Sequence, residues 1–75
     1  METRKIRLEY PLDKVGVPVF SQLAIEFDVQ PNVLAADISP QKGGWLLISV
    51  TGPAKNVDAA LDWVVQNGIK VAAAA

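Results

Sequence analysis

Two stripes of apolar residues at helical spacing confine this chain of 75 residues to few folds. In the first, Phe20, Leu23, Ala24 and Phe27 recur at i, i+3, i+4 and i+7; in the second, Val57, Ala60, Leu61 and Val64 repeat that interval. Each stripe makes one face of an amphipathic helix and needs an apolar surface to cover it. Pro18 suits the first helical turn, where a missing N–H is no loss. Pro31 and the turn formers from Asp28 to Asn32 stop the first helix by about Gln30. Asn67-Gly68 caps the second, with Gly68 free to take the left-handed conformation.

The covering surface is written around the two stripes. Lys5-Ile6-Arg7-Leu8-Glu9-Tyr10 alternates polar and apolar residues, which predicts a half-buried strand with Ile6, Leu8 and Tyr10 inward, ended by Pro11. Residues 11–17 form a loop in which Gly16 can take backbone angles closed to other residues. A strand from Val33 to Ser39 follows, with Leu34, Ala36 and Ile38 on one face and Val33, Ala35 and Asp37 on the other. Pro40 to Gly44 makes the turn. Trp45 to Thr51 returns as the antiparallel partner, with Leu46, Ile48 and Val50 facing one way and Trp45, Leu47, Ser49 and Thr51 the other. Ile69 to Ala73 is a last short strand, and the Ala72–Ala75 tail has too little to bury and is expected to fray. The order β-α-β-β-α-β with right-handed crossovers predicts an α+β fold of the ferredoxin-like type, a four-stranded antiparallel sheet with both helices on one face. One domain over residues 1–75 is expected, with its core over about 4–71.

Composition narrows the chemistry. The chain has no cysteine and no histidine, which removes disulfides, thiolate clusters, zinc sites of the usual kind and a histidine general base. No metal or cofactor is expected, and the chain reads as a non-enzyme. Seven basic against eight acidic residues give a net charge of −1, and no basic stripe with interleaved aromatics speaks for nucleic acid. The charged start, Met1 to Arg7, is no signal-peptide core, and no apolar run approaches the ~20 residues of a membrane span, so a cytoplasmic location is the default expectation. At this size only roughly 60% of the unfolded chain's surface is hidden on folding, which makes association with a partner or a second copy an expectation.

Each candidate site has a plain counterpart. The sheet face turned from the helices reads as carrying Trp45, Leu47, Val33 and Ala35 beside Lys5, Arg7, Glu9, Asp37 and Ser49. A tryptophan with aliphatic neighbours on adjacent strands marks an interface or a ligand wall, against the alternative of ordinary surface. Asp58 and Asp62, and Glu26 and Asp28, are solvated helix faces rather than catalytic pairs, since neither a cleft nor a histidine accompanies them. Gly43-Gly44 precedes a strand, so it is a hairpin turn and not a phosphate loop. Ser21, Ser39 and Ser49 lack any nucleophile setting. Trp63 borders the second stripe and reads as a residue flanking the core.

Asn32-Val33-Leu34, at the start of the second strand and after Ala24-Ile25-Glu26-Phe27-Asp28-Val29, resembles the NIL domain, named for Asn-Ile-Leu at that place. Phe20-Ser21-Gln22-Leu23 after Pro18 looks like that family's helix start, and Gly44-Trp45-Leu46-Leu47-Ile48-Ser49-Val50 like its Gly-led third strand. Ala59-Ala60-Leu61-Asp62-Trp63-Val64, ahead of Asn67-Gly68-Ile69-Lys70-Val71, is similar to its second helix and last strand. The resemblance spans about residues 4–71, with Val33 in place of isoleucine. NIL domains occur at the C-terminus of methionine-importer ATPases and joined to ferredoxin-type domains. The resemblance implies a regulatory domain that dimerises, binds methionine and restrains transport, here as a free-standing module. It implies Asn32 as the amino-acid-binding residue with Val33 and Ile38 as wall, because an amide can meet a zwitterion and apolar side chains a thioether. A turn asparagine explains Asn32 equally well. Two functions are therefore expected: a homodimeric sensor of methionine or a related amino acid, or a ligand-free adaptor whose Trp45, Leu47, Val33 and Ala35 surface docks a transporter ATPase or an electron-transfer protein.

Overall fold

The computed structural model of the chain describes residues 1–74. Its elements run β1 (Glu2–Tyr10), a 3-10 turn (Leu12–Lys14), α1 (Val19–Glu26), β2 (Gln30–Ser39), β3 (Gly43–Gly52), α2 (Ala54–Gln66) and β4 (Lys70–Ala73). The four strands form one antiparallel sheet in the order β2-β3-β1-β4. This is the ferredoxin-like α+β fold expected from the alternation of patterns. Among the described residues no helix is long and apolar enough to cross a membrane.

The centre of the sheet is β1 against β3, paired from Glu2 opposite Gly52 to Tyr10 opposite Gly44. Residues opposite one another across antiparallel strands project to the same side. Ile6, Leu8, Ile48 and Val50 thus share the helix-side face, where they are sealed with Val19, Leu23, Val57, Ala60, Val64 and Ile69. The second stripe is buried as its spacing predicts, at Val57, Ala60 and Val64. The first is rotated. Val19 and Leu23 are the buried pair of α1, Phe20 and Phe27 are partly buried against the core, and Ala24 is exposed. A helix of eight residues covers only a narrow strip, and Phe27 closes its margin against Trp63, with ring centroids 6.0 Å apart.

Element ends differ from the sequence expectation where tertiary contacts rule. β1 begins at Glu2 because β3 offers partners out to Gly52. β2 begins at Gln30 and contains Pro31, which is tolerated because β2 is an edge strand and a missing N–H there breaks no ladder. Gly16 is not among the glycines with positive φ; those are Gly43, Gly44 and Gly68. The turn of the β2–β3 hairpin is confined to residues 40–42, and Gly43 and Gly44, expected in it, open β3 opposite Ser39 and Ile38; a Cβ on Gly44 would run into the Asp37 carbonyl and one on Gly43 into the Tyr10 carbonyl, so these two strand positions accept only glycine. Ala72 and Ala73 pair with Arg7 and Ile6 as part of β4, and the Ala74 N–H reaches the Lys5 carbonyl. Backbone pairing thus holds a segment that has little side chain to bury. Ala75 lies outside the described residues.

Candidate functional site

Asn32, Val33 and Leu34 form a β-bulge. Asn32 stands opposite Ser49 and Val33 opposite Ile48, but Ala35 is already opposite Leu47, so Leu34 is an extra residue in the ladder. A bulge of this kind resets the alternation of the strand that carries it. Val33 therefore lies on the helix-side face with Ile48, whereas Ala35 and Asp37 lie on the open face with Leu47 and Trp45. The sequence reading grouped Val33 with Trp45, Leu47 and Ala35; the bulge separates it from them. No signal in the sequence shows the extra residue, since Val33 to Ser39 alternates plausibly either way.

The expected ligand residues divide in the same manner. Asn32 is exposed on the open face, and its amide has no hydrogen-bond partner among the described residues. Val33, 45% exposed, and Ile38, opposite Gly44 and partly buried against the core, belong to the helix side. Both faces meet at the outer edge of β2, a strand of ten residues with no neighbour beyond it among the described residues. Val33 and Leu34 are exposed there, and Ile25 is exposed on α1. At the opposite edge β4 spans only four residues.

On the open face Trp45, Leu47 and Ala35 do come together. One row across the sheet reads Asp37, Trp45, Glu9, Lys70 and the next Ala35, Leu47, Arg7, Ala72. The Arg7 guanidinium lies 4.8 Å from the Trp45 ring centroid, a cation–π contact that keeps the indole partly covered, and Arg7 Nε is 3.8 Å from Glu9. Trp45, Glu9 and Lys70 border a hollow of about 440 Å³ at the end of this face. A second hollow of about 330 Å³ lies on the helix side and includes Ile38. Elsewhere Arg4 bridges Glu2 at 3.0 Å and Asp58 at 2.8 Å, which gives Asp58 a structural partner on β1.

The family model of the NIL domain matches residues 4–73. The chain belongs to the NIL domain family. The bulge therefore falls at Asn32-Val33-Leu34, the residues that resemble the family's tripeptide, on an edge strand with no neighbour beyond it among the described residues. This NIL domain is 33% identical over 69 residues to the methionine import ATP-binding protein MetN of Aliivibrio fischeri, covering 88% of this chain and 20% of that protein. It therefore spans about a fifth of that relative. It is 32% identical over 63 residues to an uncharacterized protein of Synechococcus elongatus, covering 81% of this chain and 78% of that one. Its fold is shared with the C-terminal domain of an ABC transporter ATP-binding protein from Enterococcus faecalis, with a TM-score of 0.82, over 93% of this chain and 81% of the other at 20% identity.

Proposed function

We propose that this NIL domain is a non-catalytic regulatory module of the cytoplasm, a single folded unit that pairs with a second copy and takes methionine or a related amino acid where the two meet. The observation that carries the reading is the bulge at Asn32-Val33-Leu34 on the longer, uncovered edge of the sheet. An exposed edge strand is a template for pairing, and a two-fold axis passing near the middle of β2 would bring the bulges of the two copies together. The free Asn32 amide supplies two donors and an acceptor for a zwitterion, while Val33 and Leu34 supply apolar surface for the side chain. The likeness to part of a methionine import protein supports methionine as the first ligand to try. Isothermal titration with L-methionine, with Asn32→Ala in parallel and sedimentation velocity on the same samples, tests it. Saturable binding by a dimer, weakened at least about tenfold in the variant, is the expected result. A monomer that gives no heat at millimolar methionine overturns it.

One observation favours a second reading. The rows built on Trp45 and Leu47 are left bare by both helices, a surface suited to docking a transporter ATPase or an electron-transfer protein without any ligand. Under that reading Trp45→Ala abolishes capture of such a partner while methionine has no effect on the melting temperature. Under the first reading Trp45→Ala leaves methionine binding intact.

A further inference from the structure

The charge around β2 is one-sided. Residues 18–41, which hold α1 and β2, contain Glu26, Asp28 and Asp37 and neither lysine nor arginine; all seven basic residues of the chain lie outside them. The three carboxylates belong to exposed residues and take no part in an ion pair among the described residues, where Arg4 pairs with Glu2 and Asp58 and Arg7 with Glu9. Glu26 and Asp28 precede the start of β2 and Asp37 lies near its end, so both ends of the edge are acidic. Lysine is a common guard of a strand edge; here the exposed residues between the acids include Val33, Leu34, Ala35 and Ala36. Pro31 and the bulge interrupt the first half of β2, but from Ala35 to Ser39 its ladder to β3 runs without a shift, which leaves a regular stretch for a further strand. The two faces of that stretch differ. Ala36 and Ile38 lie on the helix side, opposite Leu46 and Gly44, while Ala35 and Asp37 lie on the open face, opposite Leu47 and Trp45.

We propose that this edge takes an extended segment of another protein, aliphatic on one face and basic on the other, as an added strand along Ala35–Ser39. Its aliphatic side chains continue the helix-side row beside Ala36 and Ile38. A lysine or arginine stands beside Asp37 on the open face, where opposite charges on neighbouring strands attract. A second copy fits the same edge less well. A two-fold axis near the middle of β2 runs the copies antiparallel and sets Asp37 of each at the end where the other carries Glu26 and Asp28, with no cation of α1 or β2 to offset them. The proposal rests on the reading of β2 as an edge open to pairing, and there a basic strand and a second copy exclude one another. The two associations respond to salt with opposite sign: screening of like charges strengthens the dimer, and screening of unlike charges weakens the complex with the basic strand.

The probe is a capped peptide of about seven residues, an ordinary strand length, in which lysine alternates with valine; a control peptide carries glutamate in place of lysine. Each is titrated into the full chain and followed by ¹H–¹⁵N correlation spectra and sedimentation velocity. Saturable shifts at Ala35–Ser39 with the lysine peptide are expected, with at least about tenfold weaker binding of the glutamate peptide. Raising the ionic strength from about 0.1 M to about 1 M shortens the Debye length from about 10 Å to about 3 Å. It is expected to weaken the lysine peptide at least about fivefold. The triple variant Glu26→Gln, Asp28→Asn, Asp37→Asn changes only exposed side chains, and asparagine tolerates the positive φ of 53° at position 28. It is expected to bind the lysine peptide at least about fivefold more weakly. No saturation, shifts confined to other strands, equal binding of the glutamate peptide, or full affinity in the triple variant overturns the proposal. A chain that is monomeric without peptide, or a dimer that takes the peptide without dissociating, overturns self-pairing through β2 and leaves the strand site standing.

Discussion

Tyr10 shows how one residue can be fixed by the fold and still be chemically available. Its ring closes the end of the core beside Val19 and Leu46, and its hydroxyl, which has no hydrogen-bond partner among the described residues, reaches solvent. Burial raises its pKa from 10.0 to about 12, because the phenolate loses water that the phenol does not need. The sign follows from linkage. Unfolded chains ionise from about pH 10 while folded ones hold their proton, so the stabilising contribution is whole below pH 10 and is lost as pH rises toward 12. As the chain has one tyrosine, absorbance of the tyrosinate near 295 nm reads the transition directly. Tyr10→Phe is expected to remove this alkaline loss, measured as urea midpoints at pH 8 and 11. An unchanged slope would show that other groups govern it.

At the level of elements, β2 carries the regulatory hypothesis and α2 the stability of the fold. α2 is held by three buried residues at helical spacing and ended by the Gly68 cap at φ 84, both legible in the residues alone, whereas the exposed Arg4–Asp58 pair became visible only in the structure. β2 is exposed from Asn32 through Asp37 and held chiefly by its ladder to β3. Its ends and phase depend on the neighbour rather than on its own side chains. Leu34→Lys puts a charge on this edge, a common device against strand pairing. The variant is expected to keep the wild-type circular dichroism spectrum and to sediment as a monomer at concentrations where the wild type is a dimer. A dimer that survives the lysine would place the contact on the open face with Trp45 instead.

For the whole molecule the controlling quantity is size. Among the described residues the core consists of twelve buried apolar side chains, and a chain this small gains little margin over its conformational entropy. Binding that favours the native state adds stability by mass action, so a pairing domain is expected to melt at a temperature that rises with protein concentration, in scans from micromolar to millimolar. A flat response would mark a monomer. The sequence by itself determined the class of fold, the β2–β3 hairpin, the buried face of α2 and the inward positions of β1 and β3, because spacing and turn chemistry are local and each agrees with its neighbours. It also carried Asn32 as a candidate and the grouping of Trp45, Leu47 and Ala35. Only the tertiary structure decided that Val33 faces the helices, that Val19 rather than Ala24 is buried, and that Tyr10, Phe20 and Ser21 border one hollow. A bulge costs one residue of register that only the partner strand can count, and a short helix is rotated by whatever it packs against.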